Sequence, residues 1–457
     1  MKAAYVLGLL SAWRVAAQLT GAVGPTTSLS QKTTECNILN YGAVNDNATD
    51  VADAIEKAFK TCVLPHAGSR LIVPDGQYLI KRTVILSNGT NWAFQLDGLI
   101  TLAYGGNWTV DRELILQGFA GVEPLNATIN GEGDGQFLQN GITIINPVDF
   151  EFYSKNGKGA IQGQGYLYRN LAKYGVRTFR PRLVRLISPI NTAVHDLILV
   201  DSPKFHIVFD FAVNLEVYHL TIRGANLGSY DGVDVVGTNY WIHDIEVTNR
   251  DECVSVKSPS NHALVENLVC NQAGSGISIG SLNVSASIAN IHARNISIIQ
   301  GNNIAFIKTY PGGSGYVTNV TFENFRSKAS LYGLDVNQYW QNTFEPDTGA
   351  VALSNLIFRN FSGSVADGAK RPPLYLTAND LTYATNVTVE NFSLWTESGN
   401  SVVNKISVTC AVHQYIYHHG IANRLDGSPV TNLGRAKYRI WNRRSHSGLY
   451  PGAALEA

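Results

Sequence analysis

Short runs of alternating apolar and polar residues fill the middle of the chain: LILV at 197–200, FHIVF at 205–209, LEVYHLTI at 215–222 and WIHDIEV at 241–247. Their period of two and their Val and Ile content are those of strands, and Asn, Asp, Gly and Ser separate them. A phrase returns among them: an apolar residue, any residue, Asn, Asp or His, then an apolar residue. It occurs at Val194–Leu197, Val217–Leu220, Ile242–Ile245, Val265–Leu268, Ile288–Ile291, Val317–Val320, Leu353–Leu356 and Ala384–Val387. The first five starts are 23, 25, 23 and 23 residues apart, and later intervals are 29, 36 and 31. Such a period means stacked units that cannot bury their apolar face alone. A unit of this length has no room for a helix pair, and a propeller blade needs roughly 40–50 residues. The pattern predicts an all-β fold, a single-stranded right-handed parallel β-helix with coils about 4.8 Å apart. One segment differs. Caps at 45–50 precede VADAIEKAFKTC, which puts Val51, Ala54, Ile55 and Phe59 on one helical face. This helix is expected to cover the open N-terminal end of the solenoid, where strand edges would otherwise be exposed.

Composition narrows the function. The 457 residues carry 35 Lys+Arg against 35 Asp+Glu, and only 15% are charged, while 45% are apolar. That excludes a disordered or coiled-coil chain and gives no electrostatic basis for binding nucleic acid. Residues 1–17 read as a signal peptide, with Lys2, an apolar run from Ala3 to Leu10 and small residues Val15-Ala16-Ala17 before Gln18. No later apolar run is long enough to span a bilayer. The mature chain is therefore expected to be a secreted, extracellular, soluble monomer with no membrane partner. Ten N-glycosylation sequons agree with export: Asn47, Asn88, Asn107, Asn126, Asn283, Asn295, Asn319, Asn360, Asn386 and Asn391. Of five cysteines, Cys36–Cys62 and Cys253–Cys270 are the natural local disulfide pairs, leaving Cys410 over. Neither CxxC nor HExxH spacing occurs, so neither a structural zinc site nor a zinc protease is expected.

Aligning consecutive coils exposes a chemical cluster. Asp231-Gly232-Val233-Asp234-Val235 matches Glu252-Cys253-Val254-Ser255-Val256, which matches Ser275-Gly276-Ile277-Ser278-Ile279. In a parallel stack, Asp231, Glu252 and Ser275 then lie above one another, with Asp251 beside Glu252. Carboxylates this close disfavour joint ionisation and raise at least one pKa. One protonated and one ionised carboxyl is what hydrolysis of a glycosidic bond needs. A solvated acidic turn or a Ca²⁺ site would use the same oxygens. Lys308 ends an apolar strand on a later coil and is a candidate partner for a substrate carboxylate, with Lys257 and Lys204 as rivals. His206, His219 and His243 read as packed or turn residues. Tyr332, Tyr339 and Trp340 fit either a sugar-stacking groove or the core.

At these motifs the chain resembles the pectin-degrading glycoside hydrolases of family 28, most of all the fungal rhamnogalacturonan hydrolases. The likeness runs from Gln18 to about Val403 and includes Cys36-Asn37-Ile38-Leu39-Asn40-Tyr41-Gly42-Ala43-Val44. Polygalacturonases of the family carry Asn-Thr-Asp, Asp-Asp, Gly-His-Gly and Arg-Ile-Lys. Here these positions read Ser229-Tyr230-Asp231, Asp251-Glu252, Gly274-Ser275-Gly276 and Phe306-Ile307-Lys308. The missing His and Arg, and the Glu, depart from homogalacturonan hydrolases and are tolerated in the rhamnogalacturonase branch. The resemblance implies a pectin-lyase-like solenoid and endo-hydrolysis, with inversion and no cofactor, of the α-1,2 bond between galacturonic acid and rhamnose in rhamnogalacturonan I. It makes Asp251 the general acid with a raised pKa, and Asp231 and Glu252 the groups that hold and deprotonate water. Lys308, Ser275 and Tyr332 become substrate-binding residues. Polygalacturonate or xylogalacturonan remain alternative substrates, and a β-helical wall-binding protein is the non-enzymatic one. The catalytic solenoid is expected over 18–411, with an insertion at about 104–146 that rims the cleft and an unassigned tail at 412–457 rich in Arg.

Overall fold

The computed structural model describes residues 18–109, 139–172, 180–225, 230–342, 349–367, 373–379, 381–399, 402–412 and 416–417. The expected signal peptide, sequon Asn126, most of the 104–146 insertion and nearly all of the tail lie outside them.

The strands wind into a parallel β-helix whose coils each add a strand to three parallel stacks. In the first stack, Val84–Ser87 pairs with Asn140–Ile145, which pairs with Arg182–Ile187. The register then runs through Val184, Ile207, Val233, Val254, Ile277, Ala305, Leu334 and Leu374. All eight side chains are buried in one continuous core. Identical stacking at each coil explains why Val and Ile recur at these positions: a β-branched side chain fills the pleat and packs on the same residue type above and below. Aromatic rings meet inside the solenoid, with Phe94 on Phe152 at 4.7 Å in the second stack and Phe325 on Phe361 at 4.8 Å in the third, just past the Asn324 and Asn360 corner.

The recurring phrase marks corners. Its third residue takes a left-handed backbone in every copy, from Asp196 at φ 54° through Asn290 at 56° to Asn386 at 50°. Asn and Asp tolerate that conformation better than other side chains with a Cβ. The phrase, however, belongs to two different corners. Asp196, His219, Asp244 and Asn267 continue into Asn295, Asn324, Asn360 and Asn391. Asn290, Asn319, Asn355 and Asn386 form a second column, reached from Asn261. The fourth interval of 23 residues therefore steps between corners; within the first column the step from Asn267 to Asn295 is 28. In both columns each Asn amide donates to the side-chain oxygen of the coil before, for example Asn360 to Asn324 at 2.8 Å. The described sequon asparagines are exposed, apart from half-buried Asn360.

The helix forms as expected, over Ala52–Ala58, and continues as a wider turn to Val63. Asp50 accepts the Ala52 N–H at 3.0 Å at its start, and Ala54, Ile55, Ala58 and Phe59 join the core. Cys36–Cys62 ties it to the first strand, and Cys253–Cys270 joins neighbouring parts of the central coil. Ahead of it, the segment from Gln18 runs along the outside of the coils. Gln18 donates to Asn290 O, Thr20 N to Asn239, Gly24 N to Asn214 O and Thr26 N to Asp149. At the other end, Val402–Val412 turns back antiparallel on Ala384–Thr396, so the parallel winding stops before residue 402.

Candidate active site

The carboxylates stand on the outer face of the first stack. Asp231 precedes the strand Val233–Thr248, and Glu252 opens the next coil's strand, Glu252–Asn271. The Gly232 N–H donates to Glu252 O at 2.8 Å, which fixes one turn above the other. Glu252 then pairs in register with Ser275, and Ser275 with Asn303. The sequence-derived ladder therefore exists in the register expected of it. Asn249 locks it from behind: its side-chain amide donates to Tyr230 O at 2.8 Å and Glu252 O at 3.2 Å. Buried His206 directs its Nδ1 at Asp231 O, 2.9 Å away, so it is a packed histidine beneath the site. Gly274 must be glycine, because a Cβ there would sit 2.7 Å from the Asp251 Cα.

Oxygens of Asp231, Asp251 and Glu252 lie within 4.8 Å of one another. Asp231 and Glu252 are each 4% exposed, while Asp251 is half-buried and so open to a ligand. The Glu252 N–H donates to Asp251 Oδ1 at 3.1 Å. A fourth carboxylate, Asp234, lies wholly buried within hydrogen-bonding reach of Asp231, and among the described residues no other donor meets its oxygens. The alignment displayed this residue without marking it as part of the site.

Burial and charge divide these groups. Burial, then Asp251, Asp234 and Glu252, push Asp231 well above the ordinary carboxylate range. Burial and Glu252 push Asp234 up to about 6, against the pull of Lys257. Burial would raise Glu252 too, but Lys308, a hydrogen bond with Asp251 and Lys257 outweigh it and hold Glu252 well below its usual value. The upward shift thus falls on Asp231 and Asp234, and Glu252 is the ionised member.

Lys308 is 9% exposed, and its Nζ lies 2.5 Å from Glu252 Oε1. It sits 5.3 Å from the Phe306 ring and 5.2 Å from the Trp340 ring, which themselves meet edge to face. Its charge is thus directed at Glu252. Lys257 donates to Gly280 O at 2.9 Å and faces all four carboxylates. Two ammonium groups here neutralise much of the charge that a divalent cation would otherwise meet, so the cluster fits acid/base chemistry better than a Ca²⁺ site. Ser275 is fully buried, and its hydroxyl has no partner among the described residues, as is the case for Ser278 three positions along. Tyr332 is half-buried and its N–H donates to Asn302 O at 2.7 Å, one coil beyond Asn303's, so it lies farther along the same face. Tyr339 is buried, 2% exposed, whereas Trp340 is half-buried beside Lys308.

Known proteins match the chain over most of its length. Residues 69–412 match the family model for glycosyl hydrolases family 28. Rhamnogalacturonase A of Aspergillus aculeatus is 40% identical over 404 residues, 88% of this chain and 82% of its own. Rhamnogalacturonase A of Aspergillus niger is 41% identical over 387 residues, 84% and 77% of the two chains. The crystal structure of endo-xylogalacturonan hydrolase from Aspergillus tubingensis superposes with a TM-score of 0.64 at 22% identity, covering 80% of this chain and 94% of that one, and so shares the fold. A solenoid with this carboxylate ladder, matched over three quarters of its length, belongs to glycosyl hydrolase family 28.

Proposed function

We propose that this chain is a secreted, monomeric, endo-acting hydrolase of rhamnogalacturonan I, cleaving the α-1,2 bond from galacturonic acid to rhamnose. Two named relatives at about 40% identity over most of the chain support the substrate. Among the described residues no helix is long and apolar enough to cross a membrane. The observation that carries the chemistry is the convergence of Asp231, Asp251 and Glu252 within 4.8 Å on an outward face.

Half-buried Asp251 is the group best placed to meet a ligand, and it donates the proton to the departing rhamnose oxygen. Glu252, held ionised by Lys308, takes the proton of the attacking water. Asp231, raised by burial and by its neighbours, orients that water. This assigns deprotonation to Glu252 alone, where the sequence reading shared it with Asp231. The spacing is tighter than the roughly 6.5–9.5 Å usual between inverting carboxyl groups. A covalent intermediate is nevertheless disfavoured: burial and the neighbouring carboxylates push Asp231 toward its neutral form, a poor nucleophile, and an oxygen of Glu252 is engaged by Lys308. Water is therefore the nucleophile and the anomeric carbon inverts.

Asp251→Asn tests this assignment. Turnover of de-acetylated rhamnogalacturonan is expected to fall by at least about 10²–10⁴-fold, the usual range for losing a general acid, with the melting temperature and oligosaccharide binding retained. A variant that fails to fold, or one that keeps most of its kcat, contradicts the role.

A further inference from the structure

Among the described residues of the site, Lys308 is directed at Glu252 and Lys257 at the carboxylates and Gly280 O, rather than at an acidic sugar. Cations gather instead on the opposite side of the carboxylates, toward the N-terminal coils. Arg182 opens the strand Arg182–Ile187 of the first stack, and Lys204 lies in the turn before the next strand of that stack, Ile207–Tyr218. The Arg182 guanidinium lies 5.5 Å and the Lys204 ammonium 5.1 Å from the same Phe205 ring. Arg180 donates to the Tyr230 hydroxyl at 3.2 Å, and its guanidinium lies over that ring at 5.5 Å. Tyr230 is the residue immediately before Asp231, so this cluster adjoins the catalytic ladder. Arg182 and Lys204 both feel the charges of Asp231 and Asp234.

We propose that Arg180, Arg182 and Lys204 form a subsite for the carboxylate of a galacturonate residue on the N-terminal side of the cleavage point. The inference rests on the rhamnogalacturonan reading above and moves the anionic anchor away from Lys308.

Two features support it. Arg182 and Lys204 are 1% and 6% exposed, so their charges act through little water and are strong at short range. Burial, followed by repulsion from Arg182 and Arg180, lowers Lys204 to about 7. An arriving carboxylate relieves that crowding, and an arginine fork matches its two oxygens. The chemistry of the bond agrees as well. Hydrolysis at the anomeric carbon of galacturonate puts the acidic sugar on one side of the catalytic groups and neutral rhamnose on the other. The galacturonate at the cleaved bond therefore needs a cation on its own side of the catalytic groups.

The test compares wild type, Lys204→Met and Arg180→Gln on de-acetylated rhamnogalacturonan and on the same polymer after its uronic carboxyls are reduced to alcohols. Each variant is expected to raise KM on the acidic polymer about tenfold with kcat within twofold, and to match wild type on the reduced polymer. An unchanged KM, or an equal rise on both polymers, overturns the subsite. If wild type leaves rhamnogalacturonan intact, the substrate reading fails instead. Calorimetry with galacturonate oligosaccharides, comparing Asp251→Asn with and without Lys204→Met, then decides the subsite by itself: equal affinity in the two proteins overturns it, and weaker binding in the double variant supports it.

Discussion

At the scale of single residues, the active site depends on how one carboxylate is kept ionised among three others. Lys308 holds Glu252 low, so Lys308→Met should raise the Glu252 pKa. The acidic limb of the kcat profile then moves to higher pH, and kcat falls more than KM changes. An unshifted limb would show that Lys308 acts on substrate rather than on Glu252. Asp234 works in the opposite sense. Its folded pKa of about 6 lies above the ordinary aspartate value of 3.8. Its contribution to stability is therefore present below about pH 4 and lost as pH rises through about 6. Each unit corresponds to about 1.4 kcal/mol. Asp234→Asn should therefore melt a few degrees higher than wild type at pH 7 and alongside it near pH 4, which thermal scans across that range would detect. Parallel scans at all pH values would contradict the argument. Asp231, Asp251 and Glu252 were legible because coil-to-coil alignment predicts vertical neighbours. The place of Asp234 was not, because adjacency to a site along one strand says nothing of burial. Nor was the direction of Lys308, since spacing gives the coil and not the partner.

At the scale of elements, corners hold the register that brings the carboxylates together. Asn324 takes φ 59°, donates to Asn295 at 3.1 Å and accepts from Asn360 at 2.8 Å. Replacing it with Ala puts a side chain without a local hydrogen bond into the left-handed region, at about 1–2 kcal/mol. It also removes two ladder bonds worth about 1 kcal/mol each. Asn324→Gly removes only the bonds. Denaturant titration should place Ala roughly 3–4 kcal/mol below wild type and Gly between the two; equal losses would assign the whole effect to the bonds. The corner phrase was visible in the sequence because the left-handed conformation limits the residue choice. The exchange between two corner columns near Asn267 was not, since both corners favour the same residue and the lengthened coil restored a 23-residue interval by coincidence.

At the scale of the whole molecule, a solenoid presents its sites as a line. Each coil contributes one outward position to the face that carries Asp231, Glu252, Ser275 and Asn303. A linear polymer can lie along that line, with the cationic cluster on one side and Trp340 with Tyr332 on the other. The repeat made this architecture readable, and the N-terminal helix as its cover followed from the exposed strand edges. The antiparallel return of Val402–Val412 was not readable, because the same alternation serves parallel and antiparallel strands. The most direct measurement is proton NMR of the reducing ends as they form during digestion of de-acetylated rhamnogalacturonan. The expected signal is galacturonate at the new reducing end, appearing first as the β anomer before mutarotation. A rhamnose reducing end, an unsaturated galacturonate, or first appearance of the α anomer would contradict the bond, the reaction class or the role given to water, respectively.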